Sequence, residues 1–279
     1  MLKYKQISVR EAQYIMIDML VEFDRICKKN NLNYFLDWGT LLGAVRHNGF
    51  IPWDDDLDVS MPRDDFEKFK SIAKKELNEN YFLQTPETDT KYKYFYIPMK
   101  IRHNHSKYVE IIESGDEGFR NGIYIDVFPL DKLPKGKINY RLQTLYKFIM
   151  ERSIILDKRF SELSLKRKII YPVVYFFVKV LSINNRRSIE KFFRDKCKSY
   201  DKLYWSGIDL YFKQIYKEED VFPIKEIEFE GKIFKGPNSP DEILKSMYGD
   251  YHKMPPENER FSHAKSIEVV YDEVEGIDK

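Results

Sequence analysis

A mixed α/β half followed by a helical half is the fold that this 279-residue sequence predicts. Three observations point to it. Residues 9 to 30 place apolar side chains at helical spacing, and residues 33 to 130 carry short apolar runs broken by turn residues. After about residue 135 the character changes to long apolar and basic segments. The length suits one large domain or two small ones. With 43 % hydrophobic residues, 20 Tyr and 20 Phe, the chain can bury a core and is not of disordered composition.

The elements follow in order. Ser8 and Glu11 form a capping box, and Ala12, Met16, Met19, Leu20, Phe23, Ile26 and Cys27 make the apolar face of a helix over 9 to 30. "NYFLDW", 33 to 38, reads as a strand, Gly39 and Thr40 as a turn, and "LLGAVR" as a short helix. "LDVSM" is the next strand, and Asp64 is placed to cap a helix from about 65 to 77. "YFYIPMKIR", "KYVEII" and "GIYIDVFPL" read as further strands. Residues 138 to 200 read as helices, punctuated by Pro172 and "INN". "IEFEGKIFKG" is a hairpin turning at Gly231. "SPDEILKSMYG" is a helix with Ser239 as cap, Pro240 at its first position and Gly249 at its end, and "YHKMPPENERFSHAKS" reads as loop.

Composition excludes several classes. A net charge of +2 gives no electrostatic footprint for nucleic acid. Cys27 and Cys197 lie far apart without metal-ligand partners, which suits a reducing compartment. The N-terminal "MLKYKQISVREAQ" lacks the apolar core of a signal peptide. The most apolar run, "IIYPVVYFFVKVLSI" at 169 to 183, is too short to span a bilayer and contains Pro172 and Lys179. We therefore expect a cytoplasmic protein, soluble or peripheral at the inner face of the plasma membrane.

The stretch "GTLLGAVRHNGFIPWDDDLDVSMP", 39 to 62, carries the chemistry, because it sets Asp54, Asp55, Asp56 and Asp58 within five positions. On a strand Asp56 and Asp58 share a face and repel each other unless a cation lies between them. Mg²⁺ suits such a pair, since it takes oxygen ligands and keeps waters or substrate phosphates as the rest. Asp54 and Asp55 would support that pair or be solvated. An acidic surface turn is the bland alternative, and an EF-hand lacks its Gly and its Glu here. Gly39 and Thr40, between strand and helix, would let a phosphate approach free backbone N–H groups; a plain tight turn is the commoner role of such a pair. Asp126 interrupts the apolar run 123 to 128, where a carboxylate needs a Lys or Arg partner, a proton or a metal.

Together these features resemble the nucleotidyltransferase superfamily, and the segment 39 to 69 resembles the signature of the LicD family of phosphotransferases. "IPMKIR", "GIYIDVFPLD" and "YGDYHKMPPENERFSH" support it in order, and the likeness is weakest between about 135 and 220. The resemblance implies a nucleotidyltransferase-like mixed sheet with flanking helices and an added helical subdomain. It divides the chain into a catalytic core at 1–135, a helical subdomain at 136–220 and a segment at 221–279 that returns to the site. It implies transfer of phosphocholine from CDP-choline to a sugar hydroxyl of a teichoic acid or lipopolysaccharide precursor, with CMP released. Transfer of ribitol, glycerol or ethanolamine phosphate from the matching CDP-alcohol is the near alternative. On this chain Asp56, Asp58 and Asp126 become the carboxylates for Mg²⁺, or for Mn²⁺ in its place, with Asp126 as ligand or base. Gly39 and Thr40 become the phosphate turn, and Asp55, Arg46, His47, Lys100, Arg102 and His263 further substrate contacts.

Other readings stay open. A metal at "HNH", 103 to 105, is not among them, because its zinc-like spacing has no further ligand cluster nearby. Choline would want aromatic faces, for which Trp38, Trp53, Tyr94 and Tyr96 are candidates, although core packing is the usual role of each. Residues 138 to 200 form either a helical scaffold with a solvated basic face or a surface for the anionic lipid beside a lipid-linked glycan acceptor. A metal-dependent glycosyltransferase with a DxD motif would need neither the Gly-Thr turn nor the third carboxylate. A nucleotidyltransferase acting on a nucleoside triphosphate would release pyrophosphate. An inactive glycopolymer-binding module would be expected to lack a metal carboxylate, and all three are present.

Overall fold

Strand β1 (Tyr4–Gln6) leads into helix α1 (Val9–Lys29) through the capping box read from the sequence: Glu11 N–H donates to Ser8 Oγ at 3.2 Å, and Ser8 N–H to Glu11 Oε2 at 2.8 Å. The face from Ala12 to Cys27 is buried as its spacing requires. The computed structural model describes residues 3–92, 97–111, 115, 118–159, 176, 186–196, 200–208, 210 and 213–271. Tyr94, Tyr96, Pro172, "INN" and Cys197 lie outside them.

The run expected as a strand over 33 to 38 keeps only β2 (Phe35–Leu36), because helix α2 (Trp38–His47) already begins at Trp38. Gly39 and Thr40 are thus in the first helical turn and not in a loop before it. The reason is Asp37, whose carboxylate accepts from Trp38 N–H at 2.9 Å and caps the helix. Strand β3 (Asp58–Pro62) follows, then α3 (Arg63–Glu76). Pro62, and not Asp64, holds the cap position of α3 and makes no side-chain cap bond. Asp64 and Asp65 instead sit in the first turn, where their charge suits the helix dipole.

The central sheet is completed by β4 (Tyr81–Gln84), β5 (Met99–His103) and β7 (Tyr124–Pro134), with β6 (Ser106–Glu110) turned into another sheet. Its order is β2-β3-β7-β5-β4, and β3 and β7 are its parallel pair. Both are almost fully buried, as strands covered on two faces are. Phe66, Phe69 and Ala73 of α3 and the apolar face of α1 join Val59, Met61, Ile101, Ile125 and Val127 in one core.

The expected helical subdomain at 136–220 holds α4 (Lys137–Arg159) and α5 (Arg186–Lys196), but also two strands, β8 (Tyr200–Ser206) and β9 (Ile215–Lys217). β8 pairs with the second half of β7 and β9 with β8. An aromatic run such as "YDKLYWS" suits strand or helix, and the free edge of β7 decides. Lys147 of α4 donates to the carbonyls of Ser206 and Gly207 at 2.6 and 2.7 Å, and Tyr146 to Glu190 of α5 at 3.0 Å.

After the short α6 (Glu218–Val221), β10 (Lys225–Phe229) and β11 (Lys232–Gly236) form the expected hairpin. Its two-residue turn puts Glu230 and Gly231 at φ of 52° and 70°, the signs of a type I′ turn. Helix α7 (Pro240–Tyr248) begins and ends as read, although the Ser239 side chain makes no cap bond. The tail is not all loop: β12 (Ala264–Val270) pairs with both β1 and β6, whose edges would otherwise be open.

Candidate active site

Asp58 opens β3 beside Asp126 of β7, in direct register on the parallel pair. The start of α2 is stitched to this point from both sides. Asp37 N–H donates to Asp58 O at 3.1 Å, and Asp58 N–H donates to Thr40 Oγ1 at 2.8 Å. Asp37 is fully buried and also accepts from Ser60 Oγ at 2.6 Å and Tyr216 Oη at 2.7 Å. Burial pushes its carboxyl up to about 6, against the pull of those hydrogen bonds.

Asp54, Asp56, Asp58 and Asp126 line one cavity of about 420 Å³, with Gly39 and His263 at the same walls. A Cβ on Gly39 would come within 2.8 Å of Asp54 Oδ2, so the absent side chain makes room for that carboxylate. Burial, and then repulsion from neighbouring carboxylates (Asp54 and Asp126 on Asp56, Asp56 and Asp126 on Asp58), holds Asp56 and Asp58 well above the usual carboxylate range. Burial raises Asp54 to about 6, and Asp54 shares a hydrogen bond with Asp56. Asp126 is also raised by burial, opposed by Lys100, whose Nζ lies 2.7 Å from Asp126 Oδ1. The group is a set of hard oxygen donors with more negative charge than Lys100 balances. Among the described residues no three His, Cys, Asp or Glu side chains close on a metal by themselves. An all-oxygen donor set is chemically of the kind Mg²⁺ takes, with waters and phosphate oxygens as the remaining ligands.

The other residues singled out from sequence take different places. Asp55 does not face the cavity. It is fully buried and accepts from Tyr108 Oη at 2.9 Å, Ala264 N–H at 2.6 Å and Ser262 Oγ. His263 Nδ1 lies 3.4 Å from Asp55 Oδ1, and that partner raises the imidazole to about 9. Asp55 is therefore the anchor that brings His263 to the cavity. The Thr40 hydroxyl is directed to the backbone of Asp58 and not to the cavity. Arg46 and His47 sit at the far end of α2, about 12 Å from Gly39 at the helical rise. There Arg46 donates to Tyr251 O at 2.8 Å and to His47 Nε2 at 3.0 Å. Arg102 is buried and donates to Gln84 Oε1 at 2.7 Å and Gly122 O at 2.8 Å. Of the predicted aromatics, Trp38 lines the cavity, whereas Trp53 packs in a second core and under Arg260.

Sequence reasoning gave Asp54 only a supporting or solvated role, and it passed over Ile97, Phe128 and Tyr248 in the cavity lining and the buried Asp37 that caps α2. Asp37 had a readable signal, a helix cap before an apolar run. Tyr248 opens the last of the quoted motifs. Phe128 lies two residues after Asp126 and so shares its strand face. Ile97 likewise opens the quoted motif "IPMKIR".

Residues 31–142, which carry all four cavity carboxylates, match the family described as LicD/FKTN/FKRP, nucleotidyltransferase domain. The fold and the site thus define a transferase with a nucleotidyltransferase-type domain. Over 263 residues the chain is 30 % identical to the lipopolysaccharide cholinephosphotransferase LicD of Haemophilus influenzae, across 93 % of this chain and 97 % of that protein. Uncharacterized proteins of Rickettsia typhi and Rickettsia prowazekii are 40 % identical over 70 residues and 44 % over 50, a quarter or less of either partner in each case. The chain belongs to the LicD family.

Proposed function

We propose that the protein transfers phosphocholine from CDP-choline to a sugar hydroxyl of a lipopolysaccharide or teichoic acid precursor and releases CMP. The carrying observation is the four-carboxylate cavity in a chain that is similar, over nearly its whole length, to a lipopolysaccharide cholinephosphotransferase. The hydroxyl oxygen attacks the phosphorus that bears choline, the bond from that phosphorus to the CMP oxygen breaks, and CMP leaves with the electron pair. Asp56 and Asp58 would hold Mg²⁺, or Mn²⁺ in its place, with Asp126 beside them. Such an ion, when bound, neutralises charge on the two phosphates and on the leaving oxygen.

The chain's own groups do the rest. Lys100 fixes one oxygen of Asp126, which leaves the other to take the proton of the attacking hydroxyl. The start of α2 at Gly39 offers backbone N–H groups to a phosphate. His263, cationic up to about pH 9, adds positive charge at the rim. The acceptor would be lipid-linked. No helix among the described residues is long and apolar enough to cross a membrane, so any lipid contact by those helices is peripheral. Exposed Ile138, Leu142 and Leu145 of α4, next to Lys137 and Arg141, suit the inner face of the plasma membrane.

The test is CDP-choline labelled separately in its two phosphates, incubated with the glycan acceptor. Label in the choline phosphate is expected on the acceptor and label in the other phosphate in free CMP. The reverse distribution would overturn the reading in favour of cytidylyl transfer.

A further inference from the structure

The cavity has two unlike walls. Opposite in character to the carboxylates are three aromatic residues: Trp38 at the start of α2, Phe128 on β7 and Tyr248 at the end of α7. Phe128 leaves the same face of β7 as Asp126, and its register partner is Ser60, two residues beyond Asp58. The rings of Trp38 and Phe128 lie 6.3 Å apart at 54°. Tyr248 stands near enough to the cluster for the charges of Asp58, Asp54 and Asp56 to act on its hydroxyl. The aromatic wall therefore begins where the reacting phosphate would end.

A second observation concerns the backbone. Trp38 has φ of 48°, in the left-handed region that bulky side chains seldom enter. Its neighbour Gly39 would suit that conformation better, yet the strained position carries the largest side chain. Backbone strain of this kind persists where the surroundings over-determine it, and it clusters at ligand sites. Here Asp37 holds the amide of Trp38 and Tyr216 holds Asp37.

From the cavity and the strain together we infer that Trp38, Phe128 and Tyr248 form the subsite for the head group, and that this head group is a quaternary ammonium. Ring faces attract a cation that cannot donate hydrogen bonds, and the acidic wall adds to that attraction. A polyol head group would find only the Tyr248 hydroxyl and the Trp38 indole N–H among these three side chains, too few partners for its several hydroxyls. The inference rests on the phosphocholine-transfer reading and adds to it the residues that hold the head group.

The test is calorimetric binding of phosphocholine, glycerol phosphate and CMP, each alone with Mg²⁺, to the intact protein. Wild type should prefer phosphocholine to glycerol phosphate. Trp38→Gly, which removes the ring at a φ that glycine tolerates, should weaken phosphocholine about three- to thirtyfold and leave glycerol phosphate and CMP nearly as they were. Trp38→Phe should recover most of the loss. If Trp38→Gly does not fold, Tyr248→Leu gives the same comparison from a side chain that is 42 % exposed. Equal wild-type affinity for phosphocholine and glycerol phosphate would overturn the subsite while leaving phosphotransfer intact. Loss of CMP affinity with phosphocholine unchanged would put the cytosine on this wall and also overturn it. Absence of CMP release from every CDP-alcohol would sink the phosphotransfer reading instead, and phosphocholine binding would still judge the subsite.

Discussion

Removing the charge of Asp56 or Asp58 isolates what the cluster contributes. Asp56→Asn and Asp58→Asn should each abolish CMP release, and each metal-free variant should melt higher than wild type, because burial and mutual repulsion disfavour these carboxylates. Full activity of wild type in excess chelator would refute the metal role. The same shifts set a pH dependence. Native Asp54, Asp56, Asp58 and Asp126 keep protons that the unfolded chain has released, so their stabilising contribution is complete below the ordinary value of 3.8. It is lost as pH rises through the native values, about 6 for Asp54 and well above the ordinary 3.8 for Asp56 and Asp58. The melting temperature of metal-free protein should therefore fall from about pH 4 to about pH 7, and Mg²⁺ should restore it at the upper end. Asp126 behaves differently from its neighbours. Asp126→Asn should cost at least about a hundredfold in rate, the loss expected for a general base. It should change the melting temperature less than Asp56→Asn or Asp58→Asn does, because relief of the buried charge is opposed by the buried Lys100 losing its partner. From the strand pattern alone a clear gain would be expected, since a lone buried carboxylate is relieved by neutralisation. Thermal melts decide between them.

At the scale of elements, the site depends on α2 and on the segment that leads into β12. Gly39→Ala pushes a methyl toward Asp54 Oδ2, 2.8 Å away, so one carboxylate must leave its place. Activity should fall at least tenfold on the order of a lost charge-assisted contact, with little change in melting temperature, because the backbone of Gly39 is ordinary helix. Asp55 joins the acidic loop to the returning segment through Tyr108, Ser262 and Ala264. Asp55→Asn should loosen residues 261 to 271 and carry His263 away from the rim. Hydrogen exchange should quicken at Ala264 and along β12, together with a drop in turnover; protection equal to wild type would show that Asp55 is not the anchor.

Over the whole molecule, the exposed side of α4 bears on where the enzyme works. Helix α4 is held to β8 by Lys147 and to α5 by Tyr146, while Ile138, Leu142 and Leu145 remain exposed at 75, 48 and 53 %. Basic side chains close to an anionic bilayer each contribute about 1 kcal/mol. The protein should co-sediment with anionic vesicles at low salt and detach as screening grows. Arg141→Glu with Leu145→Glu should weaken that association without slowing turnover of a short soluble acceptor. Wild type that ignores such vesicles would make α4 scaffold alone.

The sequence by itself determined the elements whose signals are local. Ser8 and Glu11 cap α1, Gly231 turns the β10–β11 hairpin, and the spacing of Asp56, Asp58 and Asp126 marks the cavity, because caps, turns and strand faces depend on neighbours a few residues away. Tertiary structure alone decided the partners. Lys100 and Arg102 share one face of β5; Lys100 meets Asp126 because the two are in register across β5 and β7, and Arg102 reaches Gln84 diagonally across β5 and β4. That β8 and β12 are strands follows from edges offered by β7, and by β1 and β6, far away in sequence. Asp55 became an anchor and Asp54 a cavity wall, although the two are adjacent and chemically identical. In the segment before β3 their side chains diverge, and what each meets is set by elements up to 209 residues distant. No local pattern carries that information, because a hydrogen-bond partner is chosen by the packing of the whole chain and not by its order.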